Sequence, residues 1–331
     1  MAMAIDTMLR PELTHWGVML AQGWKGELAR TPQAECWPAA REWALRAEQL
    51  GFHGIWAFDH YQPYPARDDS PVLEAWTTLA ALSQMTERVV IGTLVSCASY
   101  RQPMVTVKMA ENLHRLSGGR FCLGLGAGWD EPEFAYLGLS FPSSAGRSDR
   151  LEAALSACRA AWSKSDTSEA GLTNESQNPP LLVGGGGERR TLPLAAALAD
   201  AVNWQVGVQD FSRKRQMLRE ACEACGRDPD TVRLTHAPNF QFFDTEREFA
   251  RWCQDEQRGM STQEVHAYIR DRGALYGTAS SVGETIEAFC DAGCRGFMVF
   301  CNSVPDVRGL EQLASLPAVQ RTLACQQAAV G

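Results

Sequence analysis

The sequence lacks the features that define several large protein classes. No apolar run reaches the roughly 20 residues of a membrane-spanning helix. The first 13 residues include acidic residues and a proline, so they contain no uninterrupted apolar segment of the kind found in signal peptides. The net charge is −8 and no basic run is present, which argues against a nucleic-acid-binding surface. We therefore expect a cytoplasmic protein that binds neither nucleic acid nor membrane.

The sequence also lacks cysteine pairs at the spacing of a zinc site. Its eleven cysteines are an odd number scattered through a long chain, which is typical of reduced thiols in a cytosol. Cys222 and Cys225 form one C-x-x-C motif, but it lies on a predicted helix and has no second pair to complete a metal site. We therefore predict no metal.

The chain does contain a regular alternation of short apolar runs and longer amphipathic segments. The apolar runs predict eight strands, at residues 15–20, 54–59, 89–95, 121–126, 181–184, 201–207, 232–243 and 296–301. The amphipathic segments predict helices at residues 39–50, 73–85, 103–116, 147–162, 188–199, 211–225, 246–258, 263–272, 282–292 and 307–325. Because strands that alternate with helices form parallel sheets, the pattern predicts an α/β fold.

Eight such units in 331 residues favour closure of the sheet into a barrel. We predict one (β/α)8 TIM barrel domain over residues 1–331, with its active site at the carboxyl ends of the strands. A doubly wound open sheet is the alternative. The polar stretch at residues 163–178 is predicted to be a surface loop and not a domain boundary.

Two ionisable residues follow the second predicted strand directly. Asp59 and His60 would lie on the catalytic rim of a barrel, where a histidine can exchange a proton with a bound ring. The alternative is a loop histidine hydrogen-bonded to Asp59. The motif alone does not choose between the two.

A glycine alternation, GLGAG, ends the fourth predicted strand with Gly124, Gly126 and Gly128. A Rossmann dinucleotide loop should lie in the first βαβ unit and open directly into a helix, so the late position argues against a Rossmann dehydrogenase. One interpretation is that the glycines leave room for a flat ring against bare backbone. The alternative is tight packing inside a small barrel.

Four consecutive glycines separate the fifth predicted strand from a helix predicted to begin at Glu188. Glycine allows successive N–H groups to converge, and a helix N-terminus adds positive partial charge, so the run predicts an anion site suited to a phosphate. Arg189 or Arg190 could assist. The alternative is a flexible turn with both arginines in solvent. The four glycines are Gly184, Gly185, Gly186 and Gly187.

Taken together, these segments resemble the luciferase-like monooxygenase superfamily, and within it the deazaflavin-dependent branch. The resemblance lies in GIWAFDH (54–60), EAWTTLAALSQMTERVVIGTLV (74–95), SGGRFCLGLGAGWDEPE (117–133), LLVGGGGERRTLPLAAALADAVN (181–203) and GRDP (226–229). These segments span most of the chain in the family's order. The resemblance implies a luciferase-like TIM barrel with a variable insertion region.

The resemblance also implies roles for individual residues. His60 matches a catalytic histidine beside the reactive ring carbon, with Asp59 lining the ring, and Tyr64 matches a site that is often aromatic and contacts substrate. The stretch Leu94, Val95 and Ser96 matches a bulge with a non-proline cis peptide bond against the ring. The other implied cofactor-binding residues are Gly126, Gly128, Trp129, Gly184, Gly185, Gly186 and Gly187.

Two departures from the family pattern concern the substrate. Relatives have R-H-P where this chain has Arg101, Gln102 and Pro103, and many have a longer segment with P-x-P-x-Q where this chain has residues 163–178 followed by two prolines. The relatives' substrate contacts in that region therefore cannot be carried over to this chain. We expect an open pocket and a substrate larger than a simple aldehyde.

The resemblance implies an oxidoreductase that transfers a hydride between coenzyme F420 and a small organic substrate. One alternative is a monooxygenase that uses reduced FMN and molecular oxygen, with a separate reductase supplying the flavin. Another is a non-catalytic flavin-binding barrel, against which the retained Asp59 and His60 argue. Relatives are often dimers, so a homodimer is a further expectation.

Overall fold

The computed structural model of the chain describes residues 13–163, 178–255 and 261–330. The predicted loop at 163–178 therefore lies outside the described residues except at its two ends. No helix within the described part is both long and apolar enough to cross a bilayer.

Parallel strands close into a barrel, which confirms the predicted TIM barrel. In chain order the strands are β1 (His15–Met19), β2 (Gly54–Ala57), β3 (Val90–Thr93), β4 (Ser96–Cys97), β5 (Phe121–Gly126), β6 (Leu181–Gly184), β7 (Ala201–Trp204), β8 (Arg233–His236), β9 (Asn239–Phe242), β10 (Leu275–Gly277) and β11 (Gly296–Cys301). The closed barrel uses β1, β2, β3, β5, β6, β7, β8 and β11, and β1 pairs with β11 to complete it. The short β4 pairs with β5, while β9 pairs with β10 and β11.

Helices surround the barrel between the strands. They are α1 (Gln33–Gln49), α2 (Ala75–Ser83), α3 (Pro103–Leu116), α4 (Glu131–Tyr136), α5 (Ser144–Ser163), α6 (Thr191–Leu198), α7 (Val208–Ala224), α8 (Glu246–Asp255), α9 (Thr262–Arg272), α10 (Ala279–Asp291), α11 (Arg308–Ser315) and α12 (Pro317–Val330). Each predicted helix has a counterpart among them, and the short helix α4 and the strands β4 and β10 were not predicted.

Two predicted elements are divided by proline. The strand predicted at 232–243 is β8 followed by β9, because Pro238 between them has no N–H to continue the ladder. The helix predicted at 307–325 is α11 followed by α12. Leu316 is extended, with φ −62° and ψ 130°, because the ring of Pro317 disfavours a helical residue before it.

A large indole fills the amino-terminal half of the barrel interior. The side chain of Trp56 is fully buried, and glycines on the neighbouring strands leave space for it. A Cβ atom added at Gly17 or at Gly92 would lie 2.4 Å from the Trp56 ring. Real side chains do not tolerate such distances, so both positions require glycine while Trp56 occupies the interior. Apolar residues of the strands and helices form the larger core outside the barrel.

Two buried histidines lie at the amino ends of the strands. The rings of His15 and His53 are 5.5 Å apart, and His53 Nδ1 accepts a hydrogen bond of 2.9 Å from the Trp16 N–H. Burial and the nearby Arg233 guanidinium lower the pKa of His53 to about 4. Burial, His53 and Arg233 hold the pKa of His15 well below its usual range. Both rings are therefore neutral near neutral pH.

We expect the protein to lose stability as the pH falls from about 7 to about 5. In the unfolded chain His53 binds a proton near pH 6.5, whereas in the folded chain it does so only near pH 4, so acid favours the unfolded state. This one group should lower the free energy of unfolding by about 2 kcal/mol over that interval. Urea unfolding of the wild type and of His53→Asn, followed across this pH range, measures the effect. An equally steep loss in both proteins would contradict the assignment.

Candidate active site

A cleft of about 530 Å³ opens at the carboxyl ends of the strands, where parallel barrels place their active sites. It brings together most of the predicted cofactor-binding residues: Leu94, Val95, Gly126, Gly128, Trp129, Gly184, Gly185, Gly186 and Gly187. Met298 and Phe300 of β11 also line it. Asp59, His60, Tyr64 and Ser96 do not belong to this lining, and they lie around the cleft instead.

Val95 packs into the space left by the glycines of neighbouring strands. The Leu94–Val95 peptide bond is cis, as the resemblance implied. A Cβ atom at Gly126 or Gly184 would lie 2.6 or 2.7 Å from a Val95 methyl group. At Gly124 it would lie 2.0 Å from a backbone oxygen. Tight packing therefore explains Gly124, whereas Gly126 both packs on Val95 and forms part of the cleft wall.

The carboxylate of Asp59 anchors the segment that follows β3. Arg101 donates to its two oxygens at 2.6 and 2.9 Å, Ser96 Oγ donates at 2.7 Å, and the Cys97 N–H donates at 3.1 Å. Asp59 is buried and does not bond to His60, so the alternative of an Asp59–His60 loop pair is wrong. This geometry makes Asp59 a positioning residue, and its predicted contact with the cofactor ring stays a prediction.

His60 is held by Glu133, a residue to which the sequence had assigned no role. His60 Nδ1 lies 2.8 Å from Glu133 Oε2, which also accepts from the Tyr100 hydroxyl at 2.6 Å. Oε1 accepts from two backbone N–H groups, those of Tyr61 at 2.6 Å and Gln62 at 3.1 Å.

The charge state of Glu133 follows from these contacts. Burial alone would raise the pKa of Glu133. The hydrogen bond and charge of His60, the Tyr100 hydroxyl and the Tyr61 N–H lower it by more, so the pKa lies below its usual value. Glu133 is therefore a carboxylate with no exposed surface. Its sequence signal was weak: it ends an acidic run, WDEPE, directly after a strand.

Aromatic rings surround His60 on the cleft side. Trp24 stacks on the His60 ring with centroids 4.1 Å apart and planes 5° apart, and it also stacks on Tyr64 at 5.9 Å. Trp129 meets His60 and Tyr64 edge-on at 5.9 and 5.3 Å. Trp24 and Trp129 line the cleft. The predicted Tyr64 is thus beside the site, and Trp24 is an aromatic wall that the sequence did not identify.

The loop that contains Trp24 is fixed by two polar side chains, the buried Gln22 and the half-buried Glu27. Gln22 donates to the carbonyl oxygens of Phe58 and Leu73 at 2.6 and 2.8 Å. Glu27 accepts from the N–H groups of Gln22, Gly23 and Lys25. These bonds join the segment after β1 to the segment after β2, and so they hold Trp24 against His60.

The glycine run forms one end of the cleft, but its helix begins later than predicted. Residues 188–190 form a turn and α6 begins at Thr191, because Arg190 has φ −128° and ψ −51° and is not helical. Arg190 pairs with Asp149 and Glu152 on the outer surface, so it does not assist an anion there, and Arg189 is exposed.

Lys214 is the cation beside the glycine run. Its Nζ donates to the Gly186 carbonyl at 2.8 Å and to Glu188 Oε1 at 2.9 Å, although the residue is only 4% exposed. Within the described residues, no acceptor bonds the backbone N–H groups of Gly186 and Gly187. These two donors and Lys214 suit an anionic group.

Two further cations, Lys25 and Arg272, line the cleft. Partial withdrawal from water, and then the charge of Arg272, lower the pKa of Lys25, while Glu27 opposes the shift. Because the cleft lining within the described part of the chain contains these two cations and no Asp or Glu, this part of the cleft has positive charge.

His60, Asp130 and Glu133 offer oxygen and nitrogen atoms within 4.8 Å of one another, as a metal site would. Arg67 donates to both oxygens of Asp130, however, and Glu133 bonds directly to His60. These atoms are therefore used within the protein.

The C-x-x-C motif lies at the end of α7. Cys222 is buried and Cys225 is exposed, and the Cys225 thiol donates to the Cys222 carbonyl, as at an ordinary helix end.

Comparison with curated proteins finds dehydrogenases that share parts of the chain. The sequence is 33% identical over 202 residues to the F420-dependent hydroxymycolic acid dehydrogenase of Mycobacterium tuberculosis, covering 57% of this chain and 55% of that protein. It is 33% identical over 150 residues to the F420-dependent glucose-6-phosphate dehydrogenase of Intrasporangium calvum, covering 44% and 43%. The chain therefore matches about half the length of these relatives.

Solved structures share the fold at low identity. An F420-dependent secondary alcohol dehydrogenase in complex with an F420-acetone adduct has a TM-score of 0.70 at 22% identity, covering 93% of this chain and 99% of that one. A long-chain alkane monooxygenase has a TM-score of 0.72 at 14% identity, covering 95% of this chain and 92% of that one.

The family model of the luciferase-like monooxygenases matches residues 18–277, from β1 to β10. The chain belongs to the luciferase-like monooxygenase family.

Proposed function

We propose that this protein is an oxidoreductase that transfers a hydride between coenzyme F420 and a small organic substrate. The observation that supports it most is the His60–Glu133 pair beside a cleft lined by the implied cofactor-binding residues. The two dehydrogenase relatives named above, both F420-dependent, support the choice of cofactor.

The residues of the cleft fit this cofactor. A deazaflavin presents a flat ring system and a phosphate. The cis-linked Leu94 and Val95 and the bare backbone at Gly126 offer a flat wall for the ring. The N–H groups of Gly186 and Gly187, with Lys214 behind them, offer donors for the phosphate. Bound there, the cofactor supplies a ring carbon that accepts or donates the hydride.

His60 would move the proton that accompanies the hydride. Its Nδ1 is occupied by Glu133, and no bond engages its Nε2 within the described residues, so Nε2 is the atom that can exchange a proton with substrate. Its side chain is 13% exposed and stacks on Trp24, which lines the cleft. Glu133 fixes the ring orientation through Nδ1, and the stacked Trp24 restricts rotation.

The FMN-dependent monooxygenase is the second candidate, since several solved monooxygenases, the alkane monooxygenase among them, share the fold at less than 20% identity. A separate reductase is needed only in that case. The homodimer and the cytoplasmic location stay predictions.

We expect coenzyme F420 to bind at least about tenfold more tightly than FMN, a difference of about 1.4 kcal/mol. Fluorescence titration of the purified protein with each cofactor measures both dissociation constants. Substrate conversion with F420 should proceed without oxygen, because a deazaflavin has carbon in place of the flavin nitrogen at position 5, and its reduced form transfers hydride instead of reacting readily with oxygen. Conversion that strictly requires reduced FMN and oxygen would overturn the proposal and favour the monooxygenase.

Replacing His60 by alanine should lower kcat by about 10²- to 10⁴-fold, because it removes the proton-transfer group. Replacing Glu133 by glutamine should lower kcat by about 10- to 100-fold, because it removes the charge that orients His60. In both variants the F420 dissociation constant should change little. Glu131→Gln, an exposed acid on the same short helix, is the matched control and should keep wild-type turnover. Near-wild-type kcat in His60→Ala would refute the assignment.

Gly186→Asp should weaken F420 binding by about 1–3 kcal/mol, because it places a carboxylate at the phosphate donors. The position has room for a side chain, since the nearest atom to an added Cβ is Lys214 Nζ at 4.0 Å. Gly186→Asn has the same size without the charge and should bind F420 much more tightly than Gly186→Asp. Equal affinity in the two variants would place the phosphate elsewhere.

A further inference from the structure

A second cavity, of about 540 Å³, lies at the opposite end of the barrel from the active-site cleft. Its walls include residues at the amino ends of strands, namely Asp200 before β7, Arg233 at the start of β8 and Arg295 before β11. Arg215 and Arg219 on α7 complete its charged lining. Because the catalytic cleft lies at the carboxyl ends, the two cavities are separate.

The second cavity has more positive than negative charge. Four arginines line it against two carboxylates, a difference of two positive charges. Both carboxylates already have cationic partners: Asp230 pairs with Arg219 at 3.1 Å, and Asp200 pairs with Arg159 at 2.7 Å. Asp200 also accepts the Leu181 N–H at 2.7 Å. Neither acid is therefore available to the remaining arginines.

Arg215 and Arg295 bond only to backbone oxygens within the described residues. Arg215 Nη1 donates to the Ala292 carbonyl at 3.3 Å. Arg295 Nη1 donates to the carbonyls of Cys290 and Cys294 at 2.8 and 2.9 Å. Each guanidinium has five N–H groups, so most of its donors remain for a ligand. Both residues are half-buried, where an uncompensated charge is costly.

The backbone shape at Gly293 brings the Arg215 guanidinium to the wall of this cavity. Gly293 has φ +96°, and an added Cβ would lie 2.9 Å from Arg215 Cζ. The Arg215 guanidinium therefore packs against the bare backbone of Gly293, two residues before Arg295 in the sequence. A glycine with left-handed φ is required for this close approach.

We propose that this second cavity binds a small phosphate-bearing metabolite with at least two negative charges. Guanidinium groups bind phosphate oxygens through paired N–H donors, and a cluster of them at one cavity suits a diphosphate better than a single carboxylate. The cavity volume lies in the range of small-molecule sites. The ligand would occupy the amino end of the barrel while the carboxyl end remains free for catalysis.

Isothermal titration calorimetry with pyrophosphate tests the proposal, using wild-type protein already saturated with F420 so that the active-site cleft is filled. We expect saturable binding of one pyrophosphate that weakens as salt is raised. Absence of binding at millimolar pyrophosphate, or displacement of F420 by pyrophosphate, would overturn the proposal.

Replacing charged residues one at a time tests whether pyrophosphate binds in this second cavity. Arg215→Gln and Arg295→Gln should each weaken pyrophosphate binding about tenfold, as loss of a charge-assisted pair predicts. Asp230→Asn should strengthen it, because it releases Arg219, and this exposed residue can be changed without disturbing the core. Arg308→Gln removes the same charge at a distant exposed ion pair and should leave affinity unchanged. An equal loss in Arg308→Gln, or unchanged affinity in Asp230→Asn, would contradict the assignment. Unchanged circular dichroism and F420 affinity in each variant exclude misfolding.

Discussion

The contact between Val95 and the glycines of β5 and β6 sets the shape of the active-site cleft. The valine methyl groups occupy the positions where side chains at Gly126 and Gly184 would otherwise lie. Any larger residue there would push the segment after β3 away from the barrel. Asp59 then fixes the same segment from the other side through Arg101, Ser96 and the Cys97 N–H. Both constraints act on the wall of the cleft formed by Leu94 and Val95.

The sequence predicted the barrel and much of this wall because both leave local patterns. The run at residues 89–95 that contains β3, for example, is short, apolar and rich in β-branched residues, and the polar residues Arg88 and Ser96 bound it. The alternating glycines of β5 were recognisable in the sequence, but the sequence did not show why glycine is needed. Close contact with a backbone oxygen requires glycine at Gly124, whereas Gly126 both packs on Val95 and forms part of the cleft wall. The predicted boundaries were less accurate where one proline interrupts a strand or a helix, as at Pro238 and Pro317.

The side-chain partners could not be predicted because they connect distant parts of the chain. His60 and Glu133 are 73 positions apart, and Lys214 is 28 positions from Gly186. No periodicity relates such residues, since only the closed barrel brings their loops together. Asp59 stood next to His60 in the sequence and was the obvious partner. In the fold its oxygens are taken by Arg101, and the more distant Glu133 contacts the histidine instead.

The buried charge of Glu133 explains why this residue holds the His60 ring in one orientation. A carboxylate without exposed surface is costly unless each oxygen is bonded. Tyr100, Tyr61 and Gln62 supply three donors, and the fourth contact is His60 Nδ1. Because the other three donors belong to fixed groups, His60 cannot rotate without leaving a buried charge incompletely bonded. Glu133 thus determines the direction in which His60 Nε2 points, whereas Asp59 fixes the segment after β3 and makes no bond to the histidine.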